Sequence, residues 1–150
     1  MNDAVPLIVP IGRAAMAVAD PAQHQIVLLD RAGEAVARIG SGISGPGDGP
    51  WGGARFDGPR GVAADAAALW VADTGNHLLR RIDLAGFMVT TVAGVGRPGP
   101  ALTDPLPGPL AALSAPERIS CDGRAVTIFN AGTGQSVAYD LAWGMVRPLP

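Results

Sequence analysis

Two histidines and several aspartates are the residues of this sequence that could do chemistry. His24 follows Asp20 by four residues, and His77 follows Asp73 at the same distance. Both residue types bind zinc, but a catalytic zinc site usually takes three protein ligands. The two pairs lie 53 residues apart in similar surroundings, so one recurring turn explains both. We therefore expect structural turn residues, with no metal, no cofactor and no catalytic residue.

The other aspartates also recur at matching positions. A residue needed once for catalysis would break a repeat, whereas aspartate readily accepts backbone N–H groups at strand ends and in turns. We therefore predict structural roles for the recurring positions, which are Asp20, Asp30, Asp73, Asp83, Asn130 and Asp140.

The sequence offers no activated nucleophile and no phosphate loop. Cys121 is the single cysteine and has Asp122 rather than a basic residue beside it, which predicts a buried, unreactive thiol. Residues 40–45 match Gly-x-Gly-x-x-Gly, but Pro46 and Gly47 follow at once. A dinucleotide-binding loop must lead into a helix, so this match indicates a turn-rich loop instead.

Three copies of one pattern organise the chain. Asp30, Asp83 and Asp140 occupy the same position in the three copies, and the third copy has Thr133 and Gly134 in place of Asn-His. End repeats are often atypical. We predict a single domain over residues 1–150, with repeats at about 4–40, 57–94 and 114–150. Two segments rich in Gly and Pro join them: connector 1 (residues 41–58) and connector 2 (residues 95–116).

Each copy has the pattern of four short strands separated by turn residues. In the second copy we expect strands over residues 60–65, 69–73, 78–83 and 88–92. Gly75 and Asn76 suit the positive φ that a tight turn needs. Arg80 and Arg81 lie mid-strand and point to opposite faces, which sends one toward a neighbouring blade or channel and the other toward solvent.

The second copy resembles the NHL repeat, named after the triplet found here as Asn76-His77-Leu78. Asp73-Thr74-Gly75 before the triplet and Arg80-Arg81-Ile82-Asp83 after it fit the same pattern, most closely that of bacterial NHL proteins with Gly-rich connectors. The resemblance implies an all-β protein: a β-propeller of NHL type with three four-stranded blades. Such a chain is half of a six-bladed ring or an open partial propeller.

Three blades are fewer than the four to eight of ordinary propellers, so the end blades would expose faces that a ring covers. We expect a homodimer that closes a six-bladed ring. Docking onto another protein is the alternative, and an open monomer is the least favoured arrangement.

The connectors and the turns between second and third strands should lie on the same side of the sheets. That side is our candidate interaction face, and its residues are His24, Trp51, Arg55, Phe56, Asn76, His77 and Arg97. In the alternative interpretation, the connectors tuck under neighbouring blades, with Phe56 and Leu102 as plugs.

The amino-acid composition reduces the number of function classes that fit this sequence. Acidic residues (13) outnumber basic ones (11), aromatic residues make up only 5%, and the net charge is −2, which argues against nucleic acid binding. We expect a non-catalytic protein-interaction or scaffold module, an accessory or assembly subunit of a larger enzyme complex, with redox enzymes among the expected hosts. The resemblance to NHL proteins also implies two alternatives, which are a metal-dependent lyase or lactonase-type propeller enzyme and an RNA-binding NHL domain.

The expected location is the cytoplasm. The chain has no apolar run of about 18 residues that could span a membrane. Met1-Asn2-Asp3 lacks the basic start of a signal peptide, and one cysteine allows no internal disulfide.

Overall fold

The computed structural model describes residues 4–150 and folds them into three antiparallel sheets. Each sheet forms one blade, and the three blades follow one another along the chain. Within these residues the helical structure consists of three short 3₁₀ turns, Pro21–Gln23, Thr74–Asn76 and Gly108–Leu110. None of the helices described is long and apolar enough to cross a membrane. The expectation about Met1-Asn2-Asp3 concerns residues outside the described part.

Blade 1 is a four-stranded meander in which each strand pairs with the next along the chain. Its strands are β1 (Val5–Ile11), β2 (Ala14–Asp20), β3 (Gln25–Leu29) and β4 (Ala35–Ile39).

Blades 2 and 3 repeat this meander and add one short edge strand each. Blade 2 consists of β5 (Gly49–Pro50), β6 (Gly61–Ala64), β7 (Ala68–Asp73), β8 (Leu78–Asp83) and β9 (Met88–Ala93). Blade 3 consists of β10 (Leu106–Pro107), β11 (Pro116–Cys121), β12 (Ala125–Asn130), β13 (Gln135–Asp140) and β14 (Met145–Pro148). The predicted propeller blades of four strands are confirmed, and the four strands expected in the second copy lie within about one residue of their predicted ends.

The extra strands come from the connectors. Gly49 and Pro50 of connector 1 pair with Val89 and Met88 of β9, and connector 2 pairs with β14 in the same way. Each connector therefore has regular structure of its own and covers the last strand of the blade that follows it. An edge strand that would otherwise present unpaired backbone groups is protected.

Local hydrogen bonds of aspartate explain where the strands end. The Asp30 carboxylate accepts N–H groups of Ala32 and Glu34 at the turn between the third and fourth strands. Asp83 accepts from Gly86, and Asp140 accepts from Ala142 and Trp143, at the equivalent turns. These bonds hold the chain in the turn, so the same residue recurs at the same place in every blade.

Two apolar clusters lie between the blades. The first joins blade 1 to blade 2 and includes Ile26 and Leu28 from β3 with Leu69, Val71 and Ile82 from blade 2. The second joins blade 2 to blade 3, with residues such as Trp70, Leu79, Val126 and Ile128. The first strands β1, β6 and β11 pack side by side, so they lie on the inner side of the arc that the blades form.

The predicted positive φ at Gly75 and Asn76 is wrong. The left-handed residue is His77 (φ 56), which ends the 3₁₀ turn, and His24 (φ 56) does the same in blade 1. Gly75 is required for a different reason, since a Cβ there would lie 2.5 Å from the backbone oxygen of Asp57. The sequence indicated a tight turn correctly but assigned its strained position to the wrong residue.

Candidate functional site

The structure brings connector 1 together with the turns between second and third strands. Asn76 donates from Nδ2 to the backbone oxygen of Gly45 at 2.8 Å. In blade 1, Gln25 donates from Nε2 to the backbone oxygen of Gly40, the residue directly before connector 1, at 3.0 Å. These contacts hold connector 1 against the sheets.

The two histidines of the candidate face link neighbouring blades. Nδ1 of His24 accepts the N–H of Gly58 at 3.0 Å, and Nδ1 of His77 accepts the N–H of Ala115 at 2.9 Å. Gly58 and Ala115 both stand directly before the proline that leads into the next blade. Each histidine therefore fastens its own turn to the start of the following blade. Because Gly134 occupies this position in blade 3, the last blade lacks such a link.

Phe56 does not lie on an exposed face. Its side chain is fully buried in the first apolar cluster, and Leu102 is half-buried against the second. The alternative interpretation, in which these residues act as plugs beneath the blades, describes their positions. Burial of an aromatic side chain removes much more apolar surface from water than a loop of Gly and Pro can, so Phe56 anchors connector 1.

The remaining residues of the candidate face are scattered. Trp51 packs edge-on against Phe87, with ring centroids 4.8 Å apart, at the turn between third and fourth strands. Arg55 is exposed on connector 1, and Arg97 is exposed on connector 2. The predicted face therefore combines interblade contacts, a core residue and separate surface residues.

A buried arginine holds connector 1 in place. The Arg80 side chain is fully buried and makes ion pairs with Asp73 and Asp48, each at 2.8 Å. Its guanidinium also donates to the backbone oxygens of Gly47 and Arg55. Burial raises the pKa of the Asp73 carboxyl above its usual value, although hydrogen bonds and the charge of Arg80 favour the ionised form. Arg80 thus pairs within its own blade and with the connector, not across blades or in a channel.

Sequence reasoning missed this cluster, although a signal was present. The positions equivalent to Arg80 are Val27 and Val137, so a charged residue replaces a buried valine in the second copy alone. A buried charge is costly unless it is paired, which requires the partners that connector 1 and Asp73 supply.

The groups that could do nucleophilic or acid chemistry have structural surroundings. Burial raises the pKa of the Cys121 thiol, and the nearby carboxylates Asp65 and Asp122 raise it further. Asp65 accepts hydrogen bonds from Ala67, Ala68 and the indole of Trp70. Across residues 4–150, no group of three or more His, Cys, Asp or Glu side chains is arranged to hold a metal ion.

Within residues 4–150, no other blade covers the outer sheet face of blade 1. We call the face of a blade that meets the following blade its front face, and the opposite one its back face. Ala17, Ile26 and Leu28 of blade 1 belong to the first cluster and define its front face. Side chains alternate along a strand, so Val18 and Leu29 point the other way.

This back face forms a groove of about 780 Å³ with both apolar and polar residues in its lining. Its floor is apolar and its rim carries charged side chains; the residues include Val18, Val27, Leu29, Ala35, Asp20 and Arg38. In blade 2, the equivalents of Val18 and Leu29 are Val71 and Ile82, which are completely buried against blade 1. The same surface is therefore covered in one blade and uncovered in the other.

The front face of blade 3 is also open and is more polar. Thr127, Phe129 and Ser136 line a shallow depression with Arg118, whose guanidinium lies 4.3 Å from the centre of the Phe129 ring. Thr127 and Ser136 are equivalent to Trp70 and Leu79, which are buried in the second cluster.

Comparison with known proteins adds independent information. No family model matches the chain. NHL repeat-containing protein 2 of Gallus gallus is 43% identical over 84 residues, which are 56% of this chain and 12% of that protein. The chloroplastic protein SUPPRESSOR OF QUENCHING 1 of Arabidopsis thaliana is 35% identical over 117 residues, 75% of this chain and 11% of that protein. The chain thus spans only a small part of the curated relatives it matches.

Solved structures agree on the fold. A Bacteroides thetaiotaomicron protein of unknown function superposes with a TM-score of 0.70 at 22% identity, over 89% of this chain and 32% of its own. An auxiliary nutrient binding protein from Bacteroides ovatus has a TM-score of 0.65 at 19% identity, over 90% and 35%. Virginiamycin B lyase from Staphylococcus aureus has a TM-score of 0.53 at 14% identity, over 90% and 37%. At such identities the likeness establishes the fold alone. The chain therefore resembles NHL repeat proteins in sequence over part of its length, and its three antiparallel sheets have the fold of β-propeller blades.

Proposed function

We propose that this chain is a non-catalytic protein-interaction module that serves as an accessory subunit of a larger enzyme complex. The observation that carries the proposal is the back face of blade 1, where Val18 and Leu29 are left partly exposed by residues 4–150. Apolar patches that a protein leaves exposed commonly mark interaction sites. In blade 2 the equivalent residues Val71 and Ile82 are completely buried against blade 1. The groove on blade 1 therefore has the residue types that pack against another blade elsewhere in the chain.

The use of the polar side chains supports the non-catalytic part of the proposal. Asp30, Asp83 and Asp140 each bind backbone N–H groups of their own turns. His24 and His77 each use Nδ1 to hold the next blade. A general acid or base needs a free site within reach of a substrate, and these groups are already engaged in the fold. The cytoplasmic location stays a prediction from the sequence.

A capture experiment with matched variants tests the proposal. The tagged wild-type chain, Val18→Asp and Trp143→Ser are each incubated with extract of the source cells and with an untagged copy of the chain. Val18 lies in the groove, whereas the Trp143 side chain is 82% exposed at a turn of blade 3. We expect wild type and W143S to retain the same stoichiometric partner, and V18D to lose it.

The partner can be a different protein or the untagged copy, and either supports an interaction module when V18D loses it. A wild-type chain that retains neither at stoichiometric amounts overturns the proposal. Retention of one partner equally by wild type and V18D would also overturn the assignment to the blade 1 groove.

A further inference from the structure

We infer that the occupant of the blade 1 groove is a second copy of this chain, which packs the front face of its blade 3 there. The inference rests on the proposed function and names the partner. The chain carries both halves of one type of interface, a back face on blade 1 and a front face on blade 3. Two copies joined head to tail satisfy both halves at once.

The internal interfaces of the chain provide the template. The front face of blade 1 packs on the back face of blade 2, and the front face of blade 2 packs on the back face of blade 3. The first strands stay adjacent through both interfaces. Among residues 4–150, the back face of blade 1 and the front face of blade 3 continue the same series. An incoming blade 3 would set Thr127 and Ser136 against Val18 and Leu29, as Trp70 and Leu79 are set within the second cluster.

The number of blades selects two copies. Propellers close with about four to eight blades, and residues 4–150 of one copy supply three. Two copies supply six, while three copies exceed the usual range. A head-to-tail contact that closes after two copies gives a ring with two identical junctions and no free face.

The new junctions would be weaker than the internal ones. Each internal junction contains a histidine that accepts the N–H of the residue before the next proline, but Gly134 stands at that position in blade 3. The front face of blade 3 also has Thr127 and Ser136 in place of Trp70 and Leu79, so less apolar surface is available. We therefore expect a dimer that dissociates on dilution.

Solution mass measured by light scattering and sedimentation equilibrium tests the inference on the full chain. The expected mass is twice 15.2 kDa at high concentration, falling toward 15.2 kDa on dilution. Val18→Asp disrupts the back face and Thr127→Asp the front face. Neither side chain is fully buried in the single chain, so the new charge can reach water. Each variant alone is expected to be monomeric, and W143S is expected to behave as wild type.

A mixture of the two disrupted variants distinguishes the head-to-tail contact from other dimers. V18D keeps an intact front face and T127D keeps an intact back face, so an equimolar mixture should regain a two-chain species through one junction. If T127D alone stays dimeric, blade 3 is not the occupant and the inference is wrong.

Folding controls keep the test decisive. Circular dichroism and urea unfolding of each variant verify the fold, and Leu29→Arg with Ser136→Arg forms a second pair on the same two faces. A wild-type chain that stays at 15.2 kDa over the whole concentration range overturns the inference. That result leaves the proposed function standing, because the groove would then require a partner with a different sequence.

Discussion

Arg80 illustrates how one residue can fix a long loop. Its guanidinium is fully buried and contacts Asp73 within the blade and Asp48 on connector 1. It also lies 5.1 Å from the centre of the Phe56 ring. Since its equivalents are Val27 and Val137, the ionic cluster is an addition to the repeat. The cost of burying the charge is offset only while all these partners are present.

We predict that Arg80→Met destabilises the protein strongly. Removing one partner of a buried ion pair typically costs about 3–5 kcal/mol, because Asp73 is left buried and unpaired. Urea unfolding measures this loss, and trypsin should cut faster after Arg55 as connector 1 detaches. Arg81→Met is the matched control, since the Arg81–Asp83 pair is partly exposed and should be worth less than about 1 kcal/mol. Equal losses in the two variants would contradict the prediction.

Asp65 is a residue whose ionisation is coupled to folding. Burial raises its pKa, but hydrogen bonds from Trp70, Ala67 and Ala68 outweigh that effect and hold the pKa below its usual value. The exposed Asp122 occupies the equivalent position in blade 3, and hydrogen bonds from Ala125 and Arg124 lower its pKa as well. Because the unfolded chain binds these protons first as the pH falls, the stabilisation is complete above about pH 4 and is lost below it.

We predict that Asp65→Asn lowers stability at neutral pH by about 1–2 kcal/mol, since an amide nitrogen cannot accept the same hydrogen bonds. The free energy of unfolding of the variant should also fall less steeply than that of wild type as the pH drops below about 4. Urea unfolding across the acidic range measures both effects. Asp104→Asn is the control, because Asp104 is an exposed residue of connector 2. A wild-type acid dependence in D65N would be inconsistent with this role for Asp65.

At the scale of elements, the turn between the second and third strands of a blade is hydrogen-bonded to the start of the next blade. The 3₁₀ turn Thr74–Asn76 ends at His77 in the left-handed region, which aims the imidazole at the start of blade 3. Blade 1 has the same arrangement: its 3₁₀ turn Pro21–Gln23 ends at His24, which contacts the start of blade 2. The strained histidine conformation is thus maintained by a contact with the next element.

We predict that His77→Asn weakens the junction of blades 2 and 3. Asparagine tolerates the left-handed conformation, so the change removes the imidazole without adding backbone strain. The loss should be about 1–3 kcal/mol, because the N–H of Ala115 is left without its acceptor. Hydrogen exchange at Ala115 and urea unfolding measure it, with Gly134→Asn as the control at the equivalent position of blade 3. Exchange at Ala115 as slow as in wild type would disprove the link.

At the scale of the whole molecule, the two apolar clusters join each blade to the next. The first cluster includes Ala54 and Phe56 of connector 1, and the second includes Ala111 and Leu113 of connector 2. Repeat proteins are stabilised largely by such contacts between neighbours. A blade separated from its neighbours would lose the burial of an entire sheet face.

We predict that Ile26→Ala and Ile128→Ala each lower the stability of the entire chain. The two fully buried residues lie in different clusters, and each truncation should cost about 2–5 kcal/mol. At one protein concentration, circular dichroism and tryptophan fluorescence should report the same single transition with an unchanged dependence on urea. Two transitions, only one of them shifted, would instead mean that the junctions fold independently.

The sequence by itself determined the blades and their local turns. The spacing of Asp30, Asp83 and Asp140 predicted three copies of a four-stranded unit, and the structure places each aspartate at the same turn. This success has a local cause. The hydrogen bonds of Asp30 span two and four residues, so they depend on neighbours in the chain and not on the arrangement of blades.

Only the tertiary structure decided which side chains are buried and which faces are open. Arg80 bonds to Asp48 and Arg55, 32 and 25 residues away, and His77 bonds to Ala115, 38 residues away. Phe56 was predicted on the candidate interaction face, with a buried plug as the alternative, and it lies in the core. The path of each connector and the packing of sheet on sheet set these contacts, and a linear pattern of residue types contains neither. The same packing leaves Val18 in an open groove while it buries the equivalent Val71.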